Sequence, residues 1–89
     1  MLYKDLEINI ENGLRSRGAA MFVSVAGRFE SQILIEQENK KINAKSIMGV
    51  LSLGIKQGDT ITVVANGKDE KEAVEALEKL ATSGELDEA

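Results

Sequence analysis

Asn43-Ala44-Lys45-Ser46-Ile47-Met48-Gly49-Val50-Leu51-Ser52-Leu53-Gly54 carries a change of structural period within one short stretch. A short extended segment runs into a serine, and the serine opens a brief apolar helix closed by glycine. Serine is favoured at such a boundary because its side-chain oxygen accepts from an N–H that the first helical turn leaves without a partner. Ser46 is therefore expected at the N-cap, without the Glu or Gln three residues on that would complete a capping box. The apolar residues Ile47, Met48, Val50, Leu51 and Leu53 are too many for one buried stripe on so short a helix. At about 100° per residue, Val50 and Leu53 turn to one side while Ile47, Met48 and Leu51 fan over the other. The pair predicts a core face; the group of three predicts an exposed apolar patch beside a serine.

Upstream, Ile33 and Ile35 alternate with Gln32, Leu34 and Glu36, Glu38-Asn39-Lys40 is turn chemistry, and Lys41-Ile42-Asn43 is a short strand. This is a hairpin feeding Ser46. Further back, Leu6, Ile8 and Ile10 alternate with Asp5, Glu7 and Asn9, predicting a first strand over about residues 2–10. Glu11-Asn12-Gly13 breaks it. From Ser16 the period becomes helical, with Ala19, Phe22, Val23, Ala26 and Phe29 on one face and Arg17, Ser24 and Arg28 on the other. Downstream, Gln57-Gly58-Asp59 is a loop, and Ile61, Val63 and Ala65 alternate with Thr60, Thr62 and Val64 as a fourth strand. Asp69 and Glu72 are spaced as a capping box for a last helix with the face Ala73, Ala76, Leu77 and Leu80. Thr82-Ser83-Gly84 ends that helix, and residues 85–89 are expected to fray.

The order is βαββαβα. Four amphipathic strands need cover on one face, and three helices with apolar stripes supply it. The expectation is an α/β (α+β) open-faced sandwich: one domain over residues 1–89, with a four-stranded antiparallel sheet covered on one face by three helices.

Composition narrows the chemistry. The chain has no His and no Cys, so imidazole catalysis, thiol nucleophiles and the commonest metal ligands are excluded. Its carboxylates show no paired arrangement, and it is not expected to be an enzyme or to carry a cofactor or metal. Residues 1–68 hold nine Lys/Arg against seven Asp/Glu, and residues 69–89 hold two against eight. That acidic end, with Tyr3, Phe22 and Phe29 as the only aromatics, argues against direct nucleic-acid binding. No run approaches a membrane span and the N-terminus lacks a signal-peptide core, so no membrane insertion and a cytoplasmic location are expected.

Asn43-Ala44-Lys45-Ser46-Ile47-Met48-Gly49-Val50 resembles the regulatory-serine segment of the HPr family, the phosphocarrier proteins of the sugar phosphotransferase system. The resemblance runs from about residue 7 to residue 82, and the family fold is the sandwich expected above. It implies that HPr kinase/phosphorylase phosphorylates Ser46. It also implies that Ile47, Met48 and Leu51, with Leu14 and Ala20, form a patch that contacts Enzyme I, the kinase and the transcription regulator of catabolite control.

The family's second signature is Gly-Ile/Leu-His-Ala-Arg-Pro-Ala, whose histidine accepts phosphate from Enzyme I. Here the stretch is Gly13-Leu14-Arg15-Ser16-Arg17-Gly18-Ala19. Arg15 stands at the phosphoacceptor position, and a guanidinium stays protonated and offers no lone pair. Histidine phosphotransfer is therefore excluded by composition. The pattern is similar to the Crh-like branch of the family, which lacks the histidine and keeps the serine, although Ser16 and Gly18 depart from it too. Ser16 is expected to cap the helix, with a role as alternative phosphoacceptor as the second reading. Arg15 and Arg17, at a helix start, read either as solvated charges or as an anion- and partner-binding pair; the resemblance implies that this helix start lies on the same face as Ser46, where Arg17 with Arg15 would help a partner recognise the phosphoserine or contact acidic groups on that partner.

The resemblance implies a regulatory adaptor: phosphorylated Ser46 and the neighbouring patch bind a LacI-type regulator, which makes the DNA contacts. The alternative is a phosphotransferase-system component that holds Enzyme I or sugar-specific subunits as a scaffold or decoy without transferring phosphate.

Overall fold

In a computed structural model, which describes residues 1–84, the order is β1 (Leu2–Glu7), α1 (Arg17–Ala26), β2 (Gln32–Gln37), β3 (Lys40–Asn43), α2 (Ile47–Ser52), β4 (Thr60–Asn66) and α3 (Glu70–Ser83). The predicted tail, residues 85–89, lies outside the described residues. The strands form one antiparallel sheet in the order β1-β4-β2-β3, with Leu6 opposite Ile61 and Ile35 opposite both Val63 and Ile42. Those residues share the face covered by the helices, where Phe22, Val50, Leu77 and Leu80 complete the core. The expected open-faced sandwich is the fold observed.

The alternation that predicts β1 through residue 10 describes burial rather than pairing. Ile8 and Ile10 are buried, yet the ladder stops at Glu7 opposite Thr60. Beyond it the Ile8 N–H donates to the Asp59 carbonyl (2.8 Å) and the Asn9 N–H to that of Ala81 (2.8 Å), so the chain exchanges a strand partner for a loop and a helix end. α1 likewise ends earlier than its apolar spacing suggests. After Ala26, the N–H groups of Arg28 and Phe29 bond three residues back, to Val25 and Ala26, in a tightened turn. Val25 takes the fully buried place on the helix, and Val23 is half-buried. On the open face Val64 is buried although the alternation puts it opposite the core, because Tyr3 and Leu34 flank it in neighbouring strands.

Asp69 does not form the predicted capping box. It stands at the N-cap of α3, but its side chain makes no cap hydrogen bond there. Its carboxylate instead accepts from the Ser31 hydroxyl (2.5 Å), the Glu30 N–H (2.9 Å) and the Ser31 N–H (3.0 Å), clasping the start of β2 to the start of α3. Three donors outweigh the one N–H that a cap would have satisfied. Glu70 takes over locally by accepting from the Gly67 N–H (3.1 Å).

The clasp makes acid stability testable. The hydrogen bond from the Ser31 hydroxyl, then that from the Glu30 amide, hold the Asp69 carboxyl below the usual carboxylate range. Its folded pKa thus lies below its unfolded value of about 3.9. The contribution is full above that unfolded value and is lost as pH falls through the folded one. The urea midpoint of the parent is expected to drop more steeply than that of Asp69→Asn as pH falls below about 4. Parallel acid limbs would show that the clasp carries no charge-dependent stability.

Candidate functional site

The approach to α2 is built from local hydrogen bonds. The Ala44 N–H donates to the Ile33 carbonyl (2.8 Å), burying Ala44 and ending the hairpin. Asn43 then accepts twice, its side-chain oxygen from the Lys45 N–H (2.9 Å) and its carbonyl from the Ser46 N–H (3.1 Å). These bonds leave Ser46 extended at φ −105°, ψ 114°, with its Oγ accepting from the Gly49 N–H (3.1 Å) and its carbonyl from the Val50 N–H (2.9 Å). Ser46 is the N-cap that its position predicts, and it remains half-exposed.

The division of α2 also follows the expected angles. Val50 is fully buried and Leu53 nearly so, whereas Ile47 is 39% exposed, Met48 74% and Leu51 41%. This outward flank is apolar and adjoins the capping serine, and Met48 is its most exposed member.

Arg15 and Arg17 are exposed and line a groove of about 250 Å³ with Glu11, Asn12, Ser16 and Gly18. The structure does not bring them to Ser46. At one end of the helix layer the Lys45 ammonium donates to the Phe29 carbonyl (2.6 Å), and at the other the Leu14 N–H donates to the Ile55 carbonyl (3.0 Å). α1 and α2 therefore run antiparallel, with the arginines towards the Ile55 end and the serine towards the Phe29 end. One partner could span both. Ala20 is exposed one turn after Arg17.

Two expectations around the groove need correction. Leu14 is not a surface contact: it is fully buried, held inward by its N–H bond to Ile55. Ser16 occupies the N-cap position of α1 but makes no side-chain cap hydrogen bond, because its backbone sits at φ 46°, ψ −114° rather than in the extended region where a cap side chain reaches the helix. Lys45 was not singled out by its spacing; its tie to Phe29 is tertiary and leaves no periodic signal. Among the described residues, no group of three or more Asp or Glu is arranged to hold a metal ion, and no helix is long and apolar enough to cross a membrane.

Residues 2–83 match the family described as "PTS HPr component phosphorylation site". The HPr-like protein Crh of Halalkalibacterium halodurans is 53% identical over 77 residues, covering 86% of this chain and 92% of that protein. A crystal structure of HPr from Thermoanaerobacter tengcongensis superposes with a TM-score of 0.91 at 49% identity, covering 94% of each chain. The crystal structure of Crh from Bacillus subtilis, described as a swapped dimer, gives 0.76 at 41% identity over 98% of this chain and all of the other.

Proposed function

The chain belongs to the HPr family, and from that premise we propose that it is a Crh-like regulatory protein of carbon catabolite control. HPr kinase/phosphorylase transfers the γ-phosphoryl group of ATP to Ser46: an Oγ–P bond forms, the bond to the β-phosphate breaks, ADP leaves and the hydroxyl proton passes to the kinase. A LacI-type transcription regulator then binds the phosphoserine with the flank of Ile47, Met48 and Leu51. It alone contacts DNA. The reading places the protein in the cytoplasm, with kinase and ATP.

The observation that carries this reading is the start of α2, where a half-exposed serine caps the helix beside three outward-facing apolar side chains. A phosphate there adds about −1.5 to −2 charge where the helix dipole favours it, so modification changes the surface and leaves the fold intact. Arg15 at the phosphoacceptor position, in a chain without histidine, keeps the protein out of histidine phosphotransfer.

Arg15 and Arg17 serve in this reading as a second contact for acidic groups on the regulator, at the far end of α1 from the phosphate. Titrating the phosphorylated protein against a LacI-type regulator by calorimetry tests both contacts. Arg15→Glu/Arg17→Glu is expected to weaken binding by about tenfold or more. Unchanged affinity would remove the arginines from the interface. Binding to Enzyme I that is indifferent to Ser46 phosphorylation, with no binding to the regulator, would favour the scaffold reading instead.

A further inference from the structure

Gly13, Gly18 and Gly49 lie in the two candidate segments, and backbone packing accounts for the first two. A Cβ on Gly13 would overlap the carbonyl oxygen of Ile55, and one on Gly18 the carbonyl oxygen of Gly13, so neither position accepts a side chain. Gly49 has no such reason. It lies inside α2 without a positive φ, and the atoms nearest a Cβ built there are Ser46 Cβ and Oγ at 3.4 Å and the Asn43 carbonyl oxygen at 3.6 Å, ordinary van der Waals contacts. Alanine would fit. After proline, glycine is the poorest residue for a helix interior, so α2 carries it at a cost in stability.

What the missing side chain leaves open is the Ser46 hydroxyl. Cα–Cβ bonds in a helix tilt toward its N-terminus, so a side chain covers the turn before its own Cα. From position 49 that turn is the one holding Ser46, whose Cβ and Oγ are the first atoms a Cβ meets. The hydroxyl oxygen has two lone pairs, and one already accepts from the Gly49 N–H (3.1 Å). The other has to meet the phosphorus in line with the departing oxygen, and the phosphoryl oxygens must then fit round the new bond. A side chain longer than a methyl group at 49 would lie against that oxygen.

We propose that Gly49 is a specificity-determining residue for the phosphorylation of Ser46: having no side chain, it leaves Oγ open to the incoming phosphoryl group. The proposal rests on the reading of Ser46 as a kinase substrate and names the residue that keeps the acceptor accessible.

The test is the rate of phosphate gain with HPr kinase/phosphorylase and ATP, followed by intact mass, for the full-length parent, Gly49→Ala and Gly49→Gln, with urea denaturation of each. Both variants are expected to unfold at a higher urea midpoint than the parent, because each replaces glycine with a better helix former. Phosphorylation is expected to move the opposite way. The value of kcat/KM should fall by about tenfold or more in Gly49→Gln, and by less in Gly49→Ala, whose Cβ only touches the oxygen. Competition separates docking from acceptor access: Ser46→Ala/Gly49→Gln is expected to inhibit phosphorylation of the parent as strongly as Ser46→Ala does. Equal rates for the parent and Gly49→Gln would overturn the proposal. Weaker inhibition by the double variant would overturn it too, by placing the effect in kinase docking, as would rates that fall together with the urea midpoint, by tracing it to a damaged helix. No phosphate on the parent would refute the reading of Ser46 itself and the proposal with it, an outcome distinct from equal rates.

Discussion

Leu14→Ala is expected to lower folding stability by about 3 kcal/mol, within the range found when a large buried side chain is truncated and its cavity only partly collapses. Leu14 is fully buried, and its N–H is fixed to the Ile55 carbonyl at 3.0 Å, so the chain there cannot easily settle into the space left behind. Urea denaturation at neutral pH reads the effect as a lower midpoint at constant slope. Any loss of partner binding in this variant should track the unfolded fraction and vanish at low temperature, where the folded form dominates. A loss below about 1 kcal/mol, combined with weakened binding by the folded protein, would return Leu14 to the surface patch.

Met48→Asp should do the reverse. At 74% exposure Met48 contributes little to the core, and its replacement is expected to change stability by no more than about 0.5 kcal/mol. In the complex, the same carboxylate would be desolvated against an apolar partner surface and would sit beside the phosphate on Ser46. Loss of an interface anchor and burial of an unpaired charge each weaken binding by about 2 kcal/mol or more, so regulator affinity is expected to fall at least thirtyfold. Surface plasmon resonance on phosphorylated protein would measure it. A change within about threefold would leave the apolar flank of α2 without the role assigned to it.

The contrast between Leu14 and Met48 shows what was legible in the sequence. The cap at Ser46 and the division of α2 are local: they follow from one hydroxyl, one helical period and the spacing of Val50 and Leu53. Strand and helix order was equally readable, because alternation and 3.6-residue periodicity persist over whole elements. Leu14 has no such pattern. It lies between Gly13 and Arg15, and its backbone is fixed by the Ile55 carbonyl, remote in sequence, with its side chain in the common core. The same holds for Asp69, whose capping pattern is overridden by Ser31 and Glu30 across the fold, and for the distance between Arg17 and Ser46, which the antiparallel packing of α1 and α2 sets.

Ser46 and Gly18 illustrate two ways in which a single residue shapes a short segment. At Ser46 the side chain supplies the oxygen that caps α2, accepting from the Gly49 N–H, and a phosphate placed there would meet the favourable end of the helix dipole. At Gly18 the lack of a side chain lets backbone approach backbone, since a Cβ there would overlap the Gly13 carbonyl oxygen. Only the first was visible as a residue type in a familiar place; the second depends on an overlap that no spacing rule encodes.

The most direct measurement is the intact mass of the purified protein after incubation with HPr kinase/phosphorylase and ATP, with Ser46→Ala alongside. The account predicts one added phosphate on the parent, none on the variant, and a circular dichroism spectrum unchanged by modification. A parent that stays folded and gains no phosphate, or a variant that gains one equally well, would contradict it.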